Sequence, residues 1–186
     1  PLEALRLVSF QVISMATTTA FIGTDYTTWG DMPVLVLFLL TLIGGCSGST
    51  TGALKVFRLD ILYLALRNHI HRLIYPHGTF VVNYNGQPVA DAVRAGVALY
   101  FYVYLTTFFG FALLLAFCGV PFEASLGGSA TALGGVGPGI GPLIGPCCTF
   151  APLPDPAKWL LTIEMLAGRL EILILVIPLT RTFWRT

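Results

Sequence analysis

Two apolar runs stand on either side of a polar, glycine-rich stretch, and that arrangement restricts the chain more than any other feature. Met32 to Ile43 (MPVLVLFLLTLI) and Leu54 to Leu66 (LKVFRLDILYLAL) flank Gly44 to Lys55, GGCSGSTTGALK. Twelve helical residues reach only about 18 Å, short of a hydrocarbon core of roughly 30 Å. The two runs together are long enough, so the economical reading is one membrane segment broken in its middle. A break at that depth exposes backbone N–H and C=O groups, which must be satisfied by protein or by a water-filled cavity. Gly, Ser and Thr offer permissive dihedrals and spare hydrogen-bonding groups for that purpose. Broken helices of this kind line ion and substrate paths in transport proteins. The competing reading is an ordinary loop between two short buried helices.

Composition decides between them. The 186 residues are 55% hydrophobic and only 10% charged, against about 25% charged in a soluble domain. Mean hydropathy is +0.81. This is the profile of an integral membrane protein. A net charge of +1 gives no argument for a nucleic-acid partner. Cys46, Cys118, Cys147 and Cys148 show no framework spacing and no CxxC pair, and they read as small apolar filler. The chain opens in mid-pattern at Pro1 without an initiator Met, so it reads as a fragment or a processed piece.

Leu2 to Thr19 places Leu5, Val8, Val12 and Met15 near helical spacing. Its shortness, with Glu3 and Arg6 in the first turns, suits a re-entrant helix that enters the membrane and turns back. It ends in Thr17, Thr18 and Thr19. Hydroxyls and carbonyls at the negative end of a helix dipole make a natural cation site, although a plain β-branched turn has the same sequence. Asp25 to Asp31 (DYTTWGD) suits a membrane face, with Tyr26 and Trp29 in the interfacial belt. Lys55 closes the break at membrane depth, where an ammonium needs carbonyl or carboxylate partners unless it snorkels to the interface.

Tyr75 to Val89 alone reads as water-exposed. TFVVNYNGQPV predicts a hairpin turning at Asn85-Gly86. His69 and His71 lie two apart on a helix and do not share a face, which argues against a metal site. A plain membrane helix follows from about Arg94 to Cys118. Phe122 to Leu133 is then a short helix of small residues ending in Gly134-Gly135-Val136-Gly137-Pro138-Gly139-Ile140-Gly141. This repeats the earlier unit: an acid near the helix start (Glu3, Glu123), a tight turn, then an apolar helix with a mid-length glycine (Gly44-Gly45, Gly168).

The last helix is expected to run from Ala157 to about Phe183. At 100° per residue Glu164 and Glu171 share a face, and Arg169 points away from both. A mid-membrane guanidinium needs fixed acceptors, and the carbonyls of the broken segment are one source; a structural ion pair is the other. Dinucleotide, phosphate-loop and nucleophile-elbow motifs all fail for want of a preceding strand, a GK[ST] or a GxSxG, so a catalytic reading has little support. A membrane enzyme built on Glu164, Arg169 and Glu171, or a non-conducting fragment, are the alternatives to a transporter. With the Tyr75–Val89 linker on the cytoplasmic side, Arg58, Arg67, Arg72, Arg94, Arg181 and Arg185 lie inside, and only Arg6 and Lys158 outside. Glu3, Asp25, Asp31, Glu123 and Asp155 then gather outside, where they could raise the local cation concentration.

FQVISMATTTAF, GGCSGSTTGALKVFR, GVGPGIG and AKWLLTIEMLAGRLEI with the terminal FWR, in this order and spacing, resemble the TrkH/KtrB family of bacterial potassium-uptake subunits. The resemblance implies an all-α integral membrane fold of helix–pore loop–helix repeats, four to a pore, with re-entrant pore helices and a broken transmembrane helix. It implies a multi-pass protein of the bacterial cytoplasmic (inner) membrane. Residues 1–73 would be a partial third repeat, 74–90 a cytoplasmic linker hairpin and 91–186 the fourth repeat, the other repeats lying upstream. Filter carbonyls would come from Thr18, Thr19, Ala20 and Phe21 and from Gly135, Val136, Gly137 and Pro138, holding potassium. The gate would be Gly44, Gly45, Cys46, Ser47, Gly48, Ser49, Thr50, Thr51 and Gly52, with Lys55 beside it and Arg169 reaching toward it. Implied partners are membrane lipid, a second copy in a homodimer and a cytoplasmic nucleotide-binding regulatory subunit. Transport would be channel-like or a symport, with no organic cofactor. One departure stands out: the third filter strand usually carries glycine where this chain has Ala20. A methyl there narrows the dihedral choice, since glycine tolerates φ > 0 and alanine does not, so sodium is expected to pass as well.

Overall fold

The computed structural model describes residues 2–186 except 47, 50, 76, 77, 79, 80, 142, 180–182 and 186, with backbone alone at 173, 176, 179 and 185. Ser47, Thr50, His77, Arg181 and the first two residues of the expected hairpin therefore lie outside the described residues, as does the Arg185 side chain.

Helix α1 spans Leu2–Ala16, and a 3-10 turn, Tyr26–Trp29, follows it. Asp25 starts that turn by accepting from the Thr27 amide, which satisfies one of the helix's orphan donors. Helix α2 covers Asp31–Ile43 and α3 covers Val56–Ile74, so the expected interruption falls at Gly44 to Lys55. Two-residue strands β1 (Asn83–Tyr84) and β2 (Gln87–Pro88) pair antiparallel across Asn85-Gly86. Both turn residues have positive φ, 51° and 78°, the backbone a tight two-residue hairpin demands.

Helix α4, Asp91–Phe117, is the one helix among the described residues long and apolar enough to cross a bilayer. At 27 residues it reaches about 40 Å. Helix α5 spans Phe122–Gly134, and most of it is buried. Its small residues let three neighbours approach closely, as glycine and serine do where helix backbones meet. Helix α6 runs Asp155–Arg169 and packs along α5, with Pro156 in its first turn where a missing N–H costs nothing. Helix α7, Ile172–Val176, follows, and 3-10 turns at Ile177–Leu179 and Phe183–Arg185 close the chain.

The single last helix expected from Ala157 to Phe183 does not form. It breaks at Leu170-Glu171, where Glu171 takes a left-handed φ of 57°. Two cations hold the Glu171 carboxylate aside, as described below. Glu164 and Glu171 therefore share no helix face.

One core cluster joins α4, α5 and α6 through Tyr104, Phe108, Ala130, Leu133 and Ala167, with Leu54 and Ile172 added from beyond the helices' ends and breaks. A second gathers Leu115, Ala124, Ile144, Ala157 and Leu161 at the opposite end of the same helices. A third, Met15, Tyr26, Leu37 and Val136, ties α1 and α2 to the end of α5.

Candidate functional site

The C-termini of α1 and α5 end in the same way. After α1, the Thr18 amide donates to the Met15 carbonyl (3.1 Å) and the Thr19 amide to the Ser14 carbonyl (3.0 Å). After α5, the Gly135 amide donates to Ala132 (3.2 Å) and the Val136 amide to Thr131 (3.0 Å). Each is a nested pair of bonds reaching back three and five residues, the Schellman arrangement, which needs a left-handed residue just past the helix. Thr18 supplies it at φ 53° and Gly135 at φ 67°. Two residues on, the correspondence continues, with Ala20 at φ 70° and Gly137 at φ 102°. The two turns compared in the sequence thus match in hydrogen bonding and in the hand of individual residues.

The expectation that alanine does not accept positive φ is corrected here. Ala20 adopts the conformation its glycine counterpart adopts, because the flanking segment is held. Ser14 Oγ donates to the Phe21 carbonyl at 2.6 Å, and the Gly23 amide reaches Gln11 Oε1 at 3.4 Å. Ser14 and Gln11 are both buried, so the turn is folded back against its own helix.

The two turns meet. A Cβ placed on Gly137 would lie 3.3 Å from the Ala20 Cβ. Tyr26, itself buried, donates its hydroxyl to the Gly139 carbonyl at 2.9 Å. Val136 is wholly buried against Met15 and Leu37. Thr19, Ala20, Phe21, Gly135 and Gly137 are exposed and Thr18 and Pro138 are half-buried, so the turns hold each other while leaving backbone accessible. Both helices direct their negative dipole ends here, which favours a cation.

The interrupting loop packs against the far side of α5's end. Its stem closes by the Leu54 amide donating to Leu42 (3.1 Å) and the Val56 amide to Gly45 (3.2 Å). Gly45 donates to Thr51 Oγ1 at 3.3 Å. Thr51, Gly52, Ala53 and Leu54 are buried, whereas Cys46, Gly48 and Ser49 are exposed. A Cβ on Gly52 would meet the carbonyl oxygens of Gly168, Leu133 and Gly134 at 3.0, 3.1 and 3.3 Å. A Cβ on Gly168 would collide with the Leu133 oxygen, and one on Gly134 would lie 2.7 Å from the Thr41 oxygen. Three backbone segments therefore converge where only glycine fits, directly behind the Gly135 turn.

Lys55 does not snorkel. Its Nζ sits 2.6 Å from Glu171 Oε1, and Arg58 meets Oε2 at 3.0 Å. The Arg58 guanidinium also lies 3.7 Å from the Tyr100 ring centroid, a cation–π contact on buried aromatic surface. One carboxylate thus joins the end of the loop to the break after α6. Arg169 lies exposed at the end of α6, beside the Gly168 contact. Sequence reasoning found Lys55 and asked for its partner. It missed Arg58 and Tyr100, whose cation and aromatic could be found only by placing α3 against α4.

Residues 3–182 match the family model TrkH, described as a cation transport protein. The chain is 47% identical over 182 residues to the Trk system potassium uptake protein TrkI of Halomonas elongata, covering 98% of this chain and 37% of that protein. It is 36% identical over 187 residues to TrkH of Vibrio parahaemolyticus, covering 100% of this chain and 38% of the relative. The crystal structure of the potassium transporter TrkH from Vibrio parahaemolyticus superposes with a TM-score of 0.91 at 34% identity, over all of this chain and 39% of that one. The chain thus spans under two-fifths of the length of the relatives it matches.

Proposed function

Because the chain belongs to the TrkH family of cation transport proteins, we propose that it supplies two of the pore-lining units of a potassium-conducting membrane protein. In this reading α1 and α5 are re-entrant pore helices. The turns Thr18–Phe21 and Gly135–Pro138 present peptide oxygens to a dehydrated cation, replacing its hydration shell. The observation that carries the proposal is the meeting of two matched turns at Ala20 and Gly137, each at the negative end of a helix. Two helix C-termini facing one spot favour a positive charge there.

The loop Gly44–Gly52 is the gate beneath the filter, and Lys55, Arg58 and Glu171 fix its stem. Potassium is the ion carried, as the names of the relatives indicate for those proteins; the Ala20 methyl, facing Gly137 where the counterpart turn has only hydrogen, lets sodium compete. The remaining units come from further sequence of the same kind. A cytoplasmic nucleotide-binding subunit and a second copy of the protein complete the assembly in a multi-pass arrangement in the bacterial inner membrane.

Gly137→Ala tests this directly. The residue is exposed at φ 102°, and a Cβ there would crowd the Ala20 methyl at 3.3 Å, so the substitution disturbs the two facing turns. Potassium uptake measured in cells depleted of their own uptake systems is expected to fall while the protein still accumulates in the membrane. Uptake at the parental rate, with parental ion preference, would remove the turn from the ion path.

A further inference from the structure

Glu164 lies in the middle of α6 and is wholly buried. Ser129 of α5 approaches it, Oγ to Oε1, at 2.5 Å. The same Ser129 Oγ lies 2.9 Å from the Phe108 carbonyl of α4. A serine hydroxyl has one proton, and a carbonyl can only accept. If that proton goes to Phe108, the short contact with Glu164 has to be bridged by a proton on the carboxyl. If it goes to Glu164 instead, an ionised carboxylate is left in the interior with a single hydrogen bond. Its second oxygen, Oε2, has no hydrogen-bond partner among the described residues.

The chain itself shows what an ionised glutamate requires. Glu171 has a lysine on one oxygen and an arginine on the other. Among the described residues no ion pair reaches Glu164, and Tyr104 of α4, whose hydroxyl also has no hydrogen-bond partner there, lies near it. An uncompensated buried charge is the costlier state.

We propose that Glu164 is a neutral carboxylic acid that donates to Ser129, which donates on to Phe108, so that one proton relay latches α5 to both α6 and α4. The latch has a task because α5 is built of small residues. Gly127, Gly128, Ser129 and Ala130 offer no large side chain to lock the helix along its axis. Close backbone approach leaves sliding as the soft motion, and a directional bond opposes it. Ser129 sits six residues before Gly135, so its anchor fixes the height of the turn. Glu164 is in this sense a positioning residue, and its effect on ions rests on the pore reading above.

Infrared difference spectroscopy of the protein in liposomes decides the protonation. Glu164→Gln is expected to remove one protonated-carboxyl stretching band, and Ser129→Ala to shift that band to higher frequency. A spectrum unchanged by Glu164→Gln overturns the proposal. Should that variant not fold, an unmoved spectrum in Ser129→Ala overturns it equally. In uptake assays Glu164→Gln, which keeps a neutral donor, is expected to retain the parental potassium-over-sodium preference, and Glu164→Ala to lose it. Equal loss in both overturns the positioning role. A parent that moves no ions refutes the pore reading alone and leaves the infrared result to judge the latch.

Discussion

Ala20 carries a methyl in a left-handed backbone that its counterpart Gly137 shares without one. The left-handed region costs an L-residue about 1–2 kcal/mol, while glycine adds roughly 0.5–1 kcal/mol of unfolded-state entropy to be lost on folding. Ala20→Gly should therefore stabilise the chain by about 0.5–1 kcal/mol, the difference of these two terms. If the turn binds ions, the same change removes the methyl that sets it apart from its partner, and the potassium-over-sodium ratio should rise. Melting of the purified variant checks the first outcome and competitive flux the second. A falling melting point would show that the methyl packs usefully against Gly137, and an unchanged ion ratio would take Ala20 out of selectivity. Sequence singled out this position and misjudged what alanine does there. The reason is local: Ser14 and Gln11, on the preceding helix, grip Phe21 and Gly23 and override the alanine's own preference.

At the scale of elements, two breaks lean on each other. The interruption between α2 and α3 was legible from two short apolar runs around a glycine-rich stretch. The break after α6 was not, because LAGRLEILILV has the apolar content of a continuous helix and no proline or glycine at the break. What ends α6 is tertiary: the Glu171 carboxylate is drawn to Lys55 and Arg58, whose side chains are 17% and 11% exposed. Neutralising it in Glu171→Gln leaves two half-sheltered cations facing each other. The loss should be about 1–3 kcal/mol, below the cost of breaking a fully buried pair because Glu171 itself is 33% exposed. If this pairing holds the loop stem, the variant should leak ions in the resting state. Shortening Gly45–Gly52 should raise conductance as well, by removing the obstruction rather than its anchor. Normal resting leak in the first and unchanged flux in the second would together retire the loop as a gate. The glycine contacts behind it, at Gly52, Gly134 and Gly168, were invisible as a set. Each is an unremarkable glycine until three backbone segments meet there.

For the molecule as a whole, charge and cysteine placement make orientation testable without adding a probe. Asp25, Asp31 and Glu123 line one cavity of about 360 Å³ together with Cys147 and Cys148, beside the Gly139–Gly141 segment. Arg67, His71 and Asn68 line another near Val82 and Asn83, at the hairpin. If the basic residues mark the cytoplasmic face, the first cavity opens outward and the hairpin lies inside. Cys147 and Cys148 are exposed, and so is Cys46, just past the stem of the interrupting loop. A membrane-impermeant thiol reagent added to intact cells should therefore label Cys147 and Cys148 and spare Cys46, which should react only once the inner face is opened. Single-cysteine variants assign each signal. Labelling of Cys46 from outside at the rate of Cys147 would place the loop on the wrong side of the filter. In that case the acids could not concentrate cations at the mouth, and the carbonyl turns would no longer stand between the two compartments.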